Sequence, residues 1–478
     1  MNLAAVMAVR ADKGGWAGDV AFLAGDRVAT HAEVHDGAAR TGSLLSAQGA
    51  GPGDRVLIAL PDGIEFVWAF LGAVRIGAVA VPVNPRLTAG DHRAAAAEVE
   101  PAVVVCSAGL ARRFAGPVVP GEGLAAQIAG RPAAEPAAVG AGEPAYAQFT
   151  SGTTGSPKVV VHAHGHPLVY AAAFAGPAIG LARSDVVLSV SKLYFAYGLG
   201  NSLFFPLLTG CRAVLHAGHP RPADVTALVE RHSVTVLFSV PTSYAHLVAA
   251  GRAEALRSVR VAVSAGEALG VELAARARAF LDGPILDGLG STEVGQTFAS
   301  NTLDACRDGT VGRALPPYRV DVRDGVLWVA GPTLPVGHAG EWLCTGDRAF
   351  LDDDGFLHLR GRTDDVEQVG GISVSPQEIE EVLCRHPAVT EVAVAGVIGV
   401  DGASRLEAFV VTGLGAPPAN VVQDELVALA RAELAPFKVP RAVVLVDALP
   451  RTPTGKLRRF VLRAGGWGAG DQDRKRSM

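Results

Sequence analysis

The chain contains very little lysine. Only six of its 42 Lys and Arg residues are lysine, namely Lys13, Lys158, Lys192, Lys438, Lys456 and Lys475. Because arginine supplies the positive charge elsewhere, each lysine is a candidate for a position that needs a compact ammonium group. The chain also lacks a basic excess, since its formal net charge is −5. This charge argues against a nucleic acid or an anionic membrane surface as the partner.

Cysteine is scarce and membrane-spanning runs are missing. The five cysteines are far apart and form no C-x-x-C pair, which excludes a disulfide framework and favours a reducing cytoplasm. The longest apolar stretch, Phe66 to Val83, is interrupted by Arg75 and Pro82, so it predicts a buried helix followed by a strand. Charged residues near the start, such as Arg10, predict that no secretory signal is present. We therefore expect a cytoplasmic protein.

The remaining composition is that of a folded α/β protein, with 49% hydrophobic and 19% charged residues. Amphipathic segments of helix length alternate with short apolar runs, which predicts layered, mostly parallel sheets in a large N-terminal α/β domain. The apolar runs are Arg55 to Leu60, Ala78 to Val83, Val103 to Cys106, Val186 to Val190 and Val234 to Ser239. Residues 107–145 have little periodicity and predict a loosely structured connection.

The pattern changes near residue 318. Hairpin turns are predicted at residues 323–325 and 354–355 and indicate a small β-barrel-like subdomain. A helix is then predicted from Ser375-Pro376 to Cys384, a strand over residues 389–397 and a helix over residues 422–434. We predict a domain boundary around residues 361–366, with an N-terminal domain over residues 1–361, a connection at 362–366, a small α+β domain at 367–464 and a flexible tail at 465–478.

A loop rich in hydroxyl groups and glycine is the sharpest local motif. It runs Thr150-Ser151-Gly152-Thr153-Thr154-Gly155-Ser156-Pro157-Lys158 between two apolar segments. Its backbone N–H groups, hydroxyls and single ammonium suit a polyphosphate, although the spacing is not that of a Walker loop. Small polar residues are also common in ordinary surface turns, so a surface turn without a ligand remains an alternative interpretation.

Taken with this loop, the chain resembles the adenylate-forming superfamily of acyl- and aryl-CoA synthetases, luciferase and peptide-synthetase adenylation domains. The resemblance extends over nearly the whole chain and rests on motifs that occur in the expected order. These are the loop itself, Ser264-Ala265-Gly266-Glu267, Asp287-Gly288-Leu289-Gly290-Ser291-Thr292-Glu293, Thr345-Gly346-Asp347, Gly361-Arg362-Thr363-Asp364-Asp365 and Pro450-Arg451-Thr452-Pro453-Thr454-Gly455-Lys456.

The resemblance implies that the protein activates a carboxylate with ATP and Mg²⁺. It implies that Lys456 stabilises charge between the acid and the α-phosphate, that Thr292 contacts that phosphate and that Glu293 binds Mg²⁺. The ATP and AMP site implied by the family consists of Thr150, Ser151, Gly152, Thr153, Thr154, Gly155, Lys158, Gly266, Glu267, Asp287, Gly288, Asp347 and Arg362. Within this set Asp347 and Arg362 would contact the ribose, and the residues around Glu267 and Asp287 would line the adenine site.

The resemblance also implies that the small domain rotates between two half-reactions. Asp364 matches the hinge position, and Gly370-Gly371 would line a tunnel for the pantetheine thiol. Many relatives have lysine where this chain has Gln368, which puts a lysine-dependent contact of that loop in doubt.

The acid substrate is indicated by the segment Ser191-Lys192-Leu193-Tyr194-Phe195-Ala196-Tyr197-Gly198-Leu199-Gly200-Asn201, which is similar to the benzoate-CoA ligase branch. That similarity implies an aryl carboxylic acid held by Ala196, Tyr197 and Gly290, with Thr297 closing the pocket. A flat ring fits a narrow slot with an aromatic edge. The segment Val294-Gly295-Gln296-Thr297 is less apolar than in benzoate enzymes and is compatible with hydroxyl or amino groups on the ring.

Histidines at positions 162, 164 and 166 alternate after the phosphate loop. On one strand they would share a face and resemble a transition-metal site, but no carboxylate or cysteine lies nearby in the sequence, so ordinary polar histidines are the preferred interpretation. Tyr244 and His246 are assigned to a helix beside the pocket, without a role.

Three functions remain open at this stage. The preferred one is an aryl acid ligase that transfers the aroyl group to coenzyme A, as a monomer or homodimer. An enzyme that loads the phosphopantetheine of an acyl carrier protein has the same thiol chemistry. A nucleotide-binding protein without catalysis is the third.

Overall fold

The structure is a computed structural model that describes residues 1–150, 158–267, 269–365, 367–369, 372–398, 404–413, 415–451, 457–464 and 467. The α-helices are α1 (Leu3–Gly14), α2 (His31–Ala47), α3 (Ile64–Arg75), α4 (Ala89–Val99), α5 (Leu124–Ile128), α6 (His166–Tyr170), α7 (Ala196–Leu199), α8 (Phe205–Thr209), α9 (Pro222–His232), α10 (Pro241–Ala250), α11 (Val271–Leu281), α12 (Pro376–Leu383), α13 (Ala419–Glu433) and α14 (Arg459–Arg463).

The strands are β1 (Val20–Ala24), β2 (Arg27–Thr30), β3 (Arg55–Ala59), β4 (Val79–Pro82), β5 (Val103–Cys106), β6 (Val118–Pro120), β7 (Pro144–Thr150), β8 (Lys158–Ala163), β9 (Val186–Ser189), β10 (Arg212–Leu215), β11 (Val236–Ser239), β12 (Val261–Ser264), β13 (Ile285–Gly290), β14 (Thr297–Ser300), β15 (Arg313–Ala314), β16 (Arg319–Arg323), β17 (Val326–Ala330), β18 (Trp342–Leu351), β19 (Leu357–Arg362), β20 (Glu367–Val369), β21 (Ile372–Val374), β22 (Val389–Ile398), β23 (Ser404–Thr412) and β24 (Ala442–Leu445).

Two large sheets form the N-terminal part, and both are parallel at their centres. The nine-stranded sheet has the order β15-β14-β13-β12-β11-β9-β10-β1-β2, and the six-stranded sheet has the order β6-β5-β3-β4-β7-β8. Antiparallel pairing occurs at the edges, for example between β7 and β8. The central strands are buried along their length because helices cover both faces, and this confirms the mostly parallel layers predicted from the apolar runs.

The region beyond residue 318 is antiparallel. Strands β16 to β19 form a four-stranded sheet, whose first hairpin turns at Asp324-Gly325 with both residues at positive φ, as the sequence predicted. Farther on, β22, β23 and β24 form a second small sheet against which α12 and α13 pack. The proposed division at residues 361–366 stays a prediction.

Local expectations were confirmed in most places. The stretch Phe66 to Val83 is the buried α3 followed by β4. The helix expected at Pro376 begins there, whereas α13 begins at Ala419, three residues before the expected start, directly after Pro418. Residues 107–145 are more ordered than expected, because β6 extends the six-stranded sheet and α5 buries Leu124. Within the described ranges no helix is both long and apolar enough to cross a bilayer.

At five histidines of the N-terminal part that are buried or nearly so, burial lowers the pKa of the imidazole to about 4, because the charged ring would lose its hydration. They are His31, His35, His162, His164 and His166. An unfolded chain would protonate them near pH 6.5, so between pH 6.5 and 4 the unfolded state binds more protons than the folded state. The contribution of these neutral histidines to the free energy of unfolding is therefore fully present above pH 6.5 and is lost as the pH falls.

We expect the thermal midpoint to fall steadily from pH 7 to pH 5. Differential scanning calorimetry at closely spaced pH values measures it. His35→Phe should flatten this slope because it removes one titrating group, whereas His338→Asn, at a more exposed ring, should leave it unchanged. A midpoint that is constant over this range contradicts the assignment.

Candidate active site

Polar side chains lie side by side on three neighbouring parallel strands of the nine-stranded sheet. Ser239 of β11 pairs in register with Ser264 of β12, and Ser264 pairs with Asp287 of β13. All three side chains are buried. Side chains in register on parallel strands point to one face, so these three form a polar row near the carboxyl edge, where ligands bind in sheets of this kind.

Asp287 is the ionisable member of that row. One carboxyl oxygen, Oδ2, accepts the backbone N–H of Leu269 at 3.3 Å. Burial raises the pKa of Asp287 to about 8, and the hydrogen bond from Leu269 offsets this effect only in part. The group is therefore mostly protonated at neutral pH. Its contact with Leu269 places it near Gly266-Glu267, the other segment that the sequence assigned to the adenine site. That assignment stays a prediction.

The neighbouring segment Gly266-Glu267 turns sharply, with φ of +91° at Gly266, which favours glycine. Glu267 Oε2 accepts the hydroxyl of Thr242 at 2.8 Å, and Oε1 forms an ion pair with Arg451 Nη1 at 2.5 Å. A residue predicted for the adenine site therefore contacts the C-terminal motif directly.

Thr292 and Glu293 lie in the turn after β13. His162 Nε2 donates a hydrogen bond to the carbonyl of Thr292 at 2.8 Å, which connects this turn to β8 at the end of the phosphate loop. Glu293 is half-buried and forms no ion pair among the described residues. A single accessible carboxylate suits Mg²⁺, which is commonly held by one or two carboxylates together with water and substrate phosphates.

Asp347 and Arg362 face each other across the antiparallel pair β18 and β19. Arg362 Nη1 lies 3.1 Å from Asp347 Oδ1, and its Nη1 also donates to the carbonyl of Thr345 at 3.3 Å. The two residues that the family resemblance assigns to the ribose are thus brought together. Asp364 follows in the 3₁₀ turn Thr363–Asp365.

The phosphate loop is described only at its ends. Thr150 and Lys158 pair in register at the end of the β7–β8 hairpin where residues 151–157 connect the two antiparallel strands. The predicted residues Ser151, Gly152, Thr153, Thr154, Gly155, Gly370, Gly371 and Lys456 lie outside the described residues.

The candidate acid pocket forms around α7, at the Ala196-Tyr197 segment. The Tyr197 hydroxyl donates to the carbonyl of Val263 in β12 at 3.3 Å, and its ring meets Phe238 edge-on at 6.1 Å. A Cβ at Gly290 would lie 2.8 Å from the carbonyl oxygen of Gln296, so the backbone is closely packed there. Gln296 thus contacts both Gly290 and Tyr197, and the assignment of these residues to the acid pocket stays a prediction.

Gln296 is a residue whose position sequence reasoning did not identify. Its amide Nε2 lies 3.4 Å from the carbonyl of Tyr197 and 3.5 Å from Asn201 Oδ1, and its Oε1 accepts the N–H and hydroxyl of Thr297. Gln296 thus lies between Thr297 and α7. The sequence signal was the reduced apolar character of the segment Val294-Gly295-Gln296-Thr297, which pointed to a polar ring substituent but gave Gln296 no role of its own.

A buried ion pair anchors the loop that leads into α7. Lys192 Nζ lies 3.6 Å from Asp62 Oδ2 and donates to the carbonyl of His216, while Asp62 Oδ1 accepts the N–H of Leu193 at 3.1 Å. Burial raises the pKa of Asp62 and lowers that of Lys192, and their attraction opposes both shifts. The scarce lysine at this position therefore has a structural partner.

The three alternating histidines do not share a strand face, because β8 ends at Ala163 and His166 begins α6. His162 contacts His166 at 3.2 Å, whereas His164 Nδ1 accepts the N–H of Leu3 in α1 at 3.2 Å. The part of the chain that the structure describes contains no cluster of three potential metal ligands. The shared strand face is therefore not formed, and the interpretation as ordinary polar histidines stays a prediction.

Comparison with known proteins matches residues 9–351 to the family "AMP-binding enzyme" and residues 378–456 to "AMP-binding enzyme C-terminal domain". The chain is similar to p-hydroxybenzoic acid–AMP ligase FadD22 of Mycobacterium tuberculosis, with 42% identity over 97% of this chain and 68% of the relative. It is also similar to benzoate–CoA ligase of Thauera aromatica, with 37% identity over 89% of this chain and 88% of the relative. Among solved structures, a benzoate CoA ligase from Burkholderia xenovorans LB400 has a TM-score of 0.90 and 34% identity, covering 97% of this chain and 100% of that chain.

Asp287→Asn tests the protonation of the buried row. The carboxyl group of Asp287 ionises near pH 4 in the unfolded chain but keeps its proton up to about pH 8 in the folded state. The free energy of unfolding of the wild type therefore decreases as the pH rises from about 4 to 8. The amide keeps the acceptor for Leu269 and never ionises. We therefore expect the stability of the variant relative to wild type to rise from pH 4.5 to pH 7.5 in urea unfolding, while Asp308→Asn, at the surface, shows no such trend. An equal difference at both pH values contradicts the assignment.

Proposed function

Because the chain belongs to the AMP-binding enzyme family, we propose that it is an ATP-dependent aryl acid ligase. It forms an aryl-adenylate and then transfers the aroyl group to the thiol of coenzyme A. The phosphopantetheine of a carrier protein is the second candidate acceptor. It stays a candidate because one similar protein is named as an acid–AMP ligase, and that name does not include coenzyme A.

The observation that carries this proposal is the contact between the acid pocket and the nucleotide-site strands. Tyr197 donates to Val263 in β12, whose next residues are Ser264 to Glu267 of the predicted adenine site. Gly290, which is also predicted to line the acid pocket, is followed after one residue by Thr292 and Glu293. An acid held at Tyr197 and Gly290 therefore lies beside the elements predicted to hold the α-phosphate.

The first step joins two anions and needs preorganised positive charge. An oxygen of the substrate carboxylate forms a bond to the α-phosphorus, and the bond from that phosphorus to the bridging oxygen breaks, releasing pyrophosphate. In this proposal Thr292 donates to the α-phosphate, Asp347 accepts the ribose hydroxyls with Arg362 beside it, and Lys456 stabilises the developing charge. Glu293 would hold Mg²⁺, which would neutralise phosphate charge.

The second step replaces AMP with a thiol. The sulfur bonds to the carbonyl carbon, the bond from that carbon to the AMP oxygen breaks, and the thiol proton leaves. Residues 370–371 are proposed to line the thiol path, and Asp364 is proposed to serve as the hinge.

The substrate is proposed to be a benzoate that carries a small polar substituent. Tyr197 and Phe238 supply aromatic edges, while Gln296, Asn201 and Thr297 supply buried amide and hydroxyl groups next to them. Gln296 and Thr297 pair with each other, but the buried Nδ2 of Asn201 has no hydrogen-bond partner among the described residues. A polar ring substituent can pair with this group, whereas an unsubstituted apolar chain would leave it unpaired. Hydroxybenzoates and aminobenzoates are therefore favoured over medium-chain fatty acids.

Lys456→Ala should lower aryl acid-dependent exchange of pyrophosphate into ATP by about 10² to 10³, because one preorganised donor to the transition state is lost. Lys438→Ala is the matched control, since Lys438 pairs with Glu378 on the same C-terminal part and has no predicted role. The assay uses benzoate, hydroxybenzoates, aminobenzoates, phenylacetate and medium-chain fatty acids. Exchange unaffected by Lys456→Ala would refute the role of Lys456, and wild-type protein without any acid-dependent exchange would support a non-catalytic nucleotide-binding protein.

The acceptor is tested by following thioester formation from the best acid. We expect coenzyme A to be acylated at a rate comparable with adenylation, because the proposed reaction ends on this thiol. The same assay with phosphopantetheinylated carrier proteins, and with their unmodified forms as controls, measures the second candidate. Acylation of a carrier protein without acylation of coenzyme A would replace the proposed acceptor with the alternative.

A further inference from the structure

A cluster of charged and polar side chains connects the N-terminal part of the chain to the C-terminal part. We call it the Arg451 cluster; its members are Thr242, His246 and Glu267 from the N-terminal part and Glu391 and Arg451 from the C-terminal part. Thr242 and His246 lie one turn apart on α10, and Glu391 lies on β22. None of the proposed chemical steps uses His246 or Glu391.

Arg451 is the centre of the cluster. Its Nη1 pairs with Glu267 Oε1 at 2.5 Å, while its Nη2 donates to Thr242 Oγ1 at 2.9 Å and pairs with Glu391 Oε2 at 2.8 Å. The planar guanidinium thus contacts both parts of the chain at once, which a lysine ammonium would do less specifically.

Glu391 makes a second contact across the same boundary. Its other oxygen, Oε1, lies 3.1 Å from His246 Nε2 on α10. Burial raises the pKa of Glu391, but the hydrogen bond from His246 and the charge of Arg451 outweigh burial and hold this pKa below its ordinary value. Both carboxylate oxygens of Glu391 are therefore occupied, one by each part of the chain.

The cluster is more shielded than an ordinary surface ion pair. The exposed fraction of the side chain is 12% for Glu391, 25% for Arg451 and 40% for His246. Isolated exposed pairs contribute little to stability, whereas a partly buried network with several shared members is screened less by salt. The cluster is therefore able to bias the orientation of one part relative to the other.

The cluster also lies at the base of the segment that carries Lys456. Arg451 and Leu457 form an antiparallel bridge, so the chain leaves for residues 452–456 from Arg451 and returns beside it. Lys456 is the residue directly before Leu457. Any interaction that holds Arg451 against Glu267 therefore also holds the base of this segment against the predicted adenine site.

We propose that Glu391 and His246 are positioning residues for the adenylation step: they fix Arg451 against Thr242 and Glu267 and thereby favour the domain orientation that delivers Lys456. This inference rests on the proposed function. The second half-reaction requires another orientation, in which these contacts are broken, so it should not depend on them.

The test separates the two half-reactions for Glu391→Gln and His246→Asn. We expect each variant to lower acid-dependent pyrophosphate exchange about tenfold, because the adenylation orientation becomes less populated. Single-turnover aroyl transfer from preformed aryl-adenylate to the thiol acceptor should be unchanged or faster. Because His246 acts through Glu391, adding His246→Asn to Glu391→Gln should cause little further loss.

The matched control is Glu425→Gln. Glu425 Oε2 pairs with His386 Nε2 at 3.0 Å, which is the same chemical pair within the C-terminal part alone. This control should change neither half-reaction. Equal losses in both half-reactions, or no loss in exchange, would overturn the inference. Wild-type protein that forms no adenylate would instead refute the proposed function, so the two failures are distinguishable.

Discussion

Parallel pairing of β11, β12 and β13 is the constraint on which the rest of the site depends. The pairing is in register, so Ser239, Ser264 and Asp287 reach the same edge of the sheet, and the loops that follow must leave from that edge. One of these loops carries Gly266 and Glu267, and another carries Thr292 and Glu293. Residues more than twenty positions apart in the chain are thereby brought to one place by strand pairing.

Two groups of charged side chains near this edge differ in their burial. Lys192 and Asp62 are buried together and hold the pocket loop, where loss of either partner would leave an isolated charge in an apolar environment. Arg451, Glu267 and Glu391 are only partly buried and connect two parts of the chain. The first pair suits a fixed element, whereas the second group suits a contact that must form and break, because water can replace its partners at a modest free-energy cost.

Much of the fold followed from local pattern. The apolar runs predicted the buried strands to within one or two residues, and Asp324-Gly325 predicted its hairpin, since both signals depend on neighbours in the chain. His162, His164 and His166 do not share a strand face, because alternation on a strand requires the strand to continue and β8 ends at Ala163. Gln296 was missed for a related reason. Its environment comes from α7, about a hundred residues earlier, and no local pattern contains that information.

The amino-acid sequence by itself determined the α/β class, the family resemblance and the identity of most candidate site residues, because motifs and hydrophobic periodicity are local properties. Only the tertiary structure decided which residues meet. The bond from His162 to Thr292 and the convergence of His246, Glu267, Glu391 and Arg451 join distant segments, and the register of β18 and β19 places Asp347 opposite Arg362. Such contacts arise from strand register and packing. These depend on the whole fold, so a local sequence pattern does not predict them.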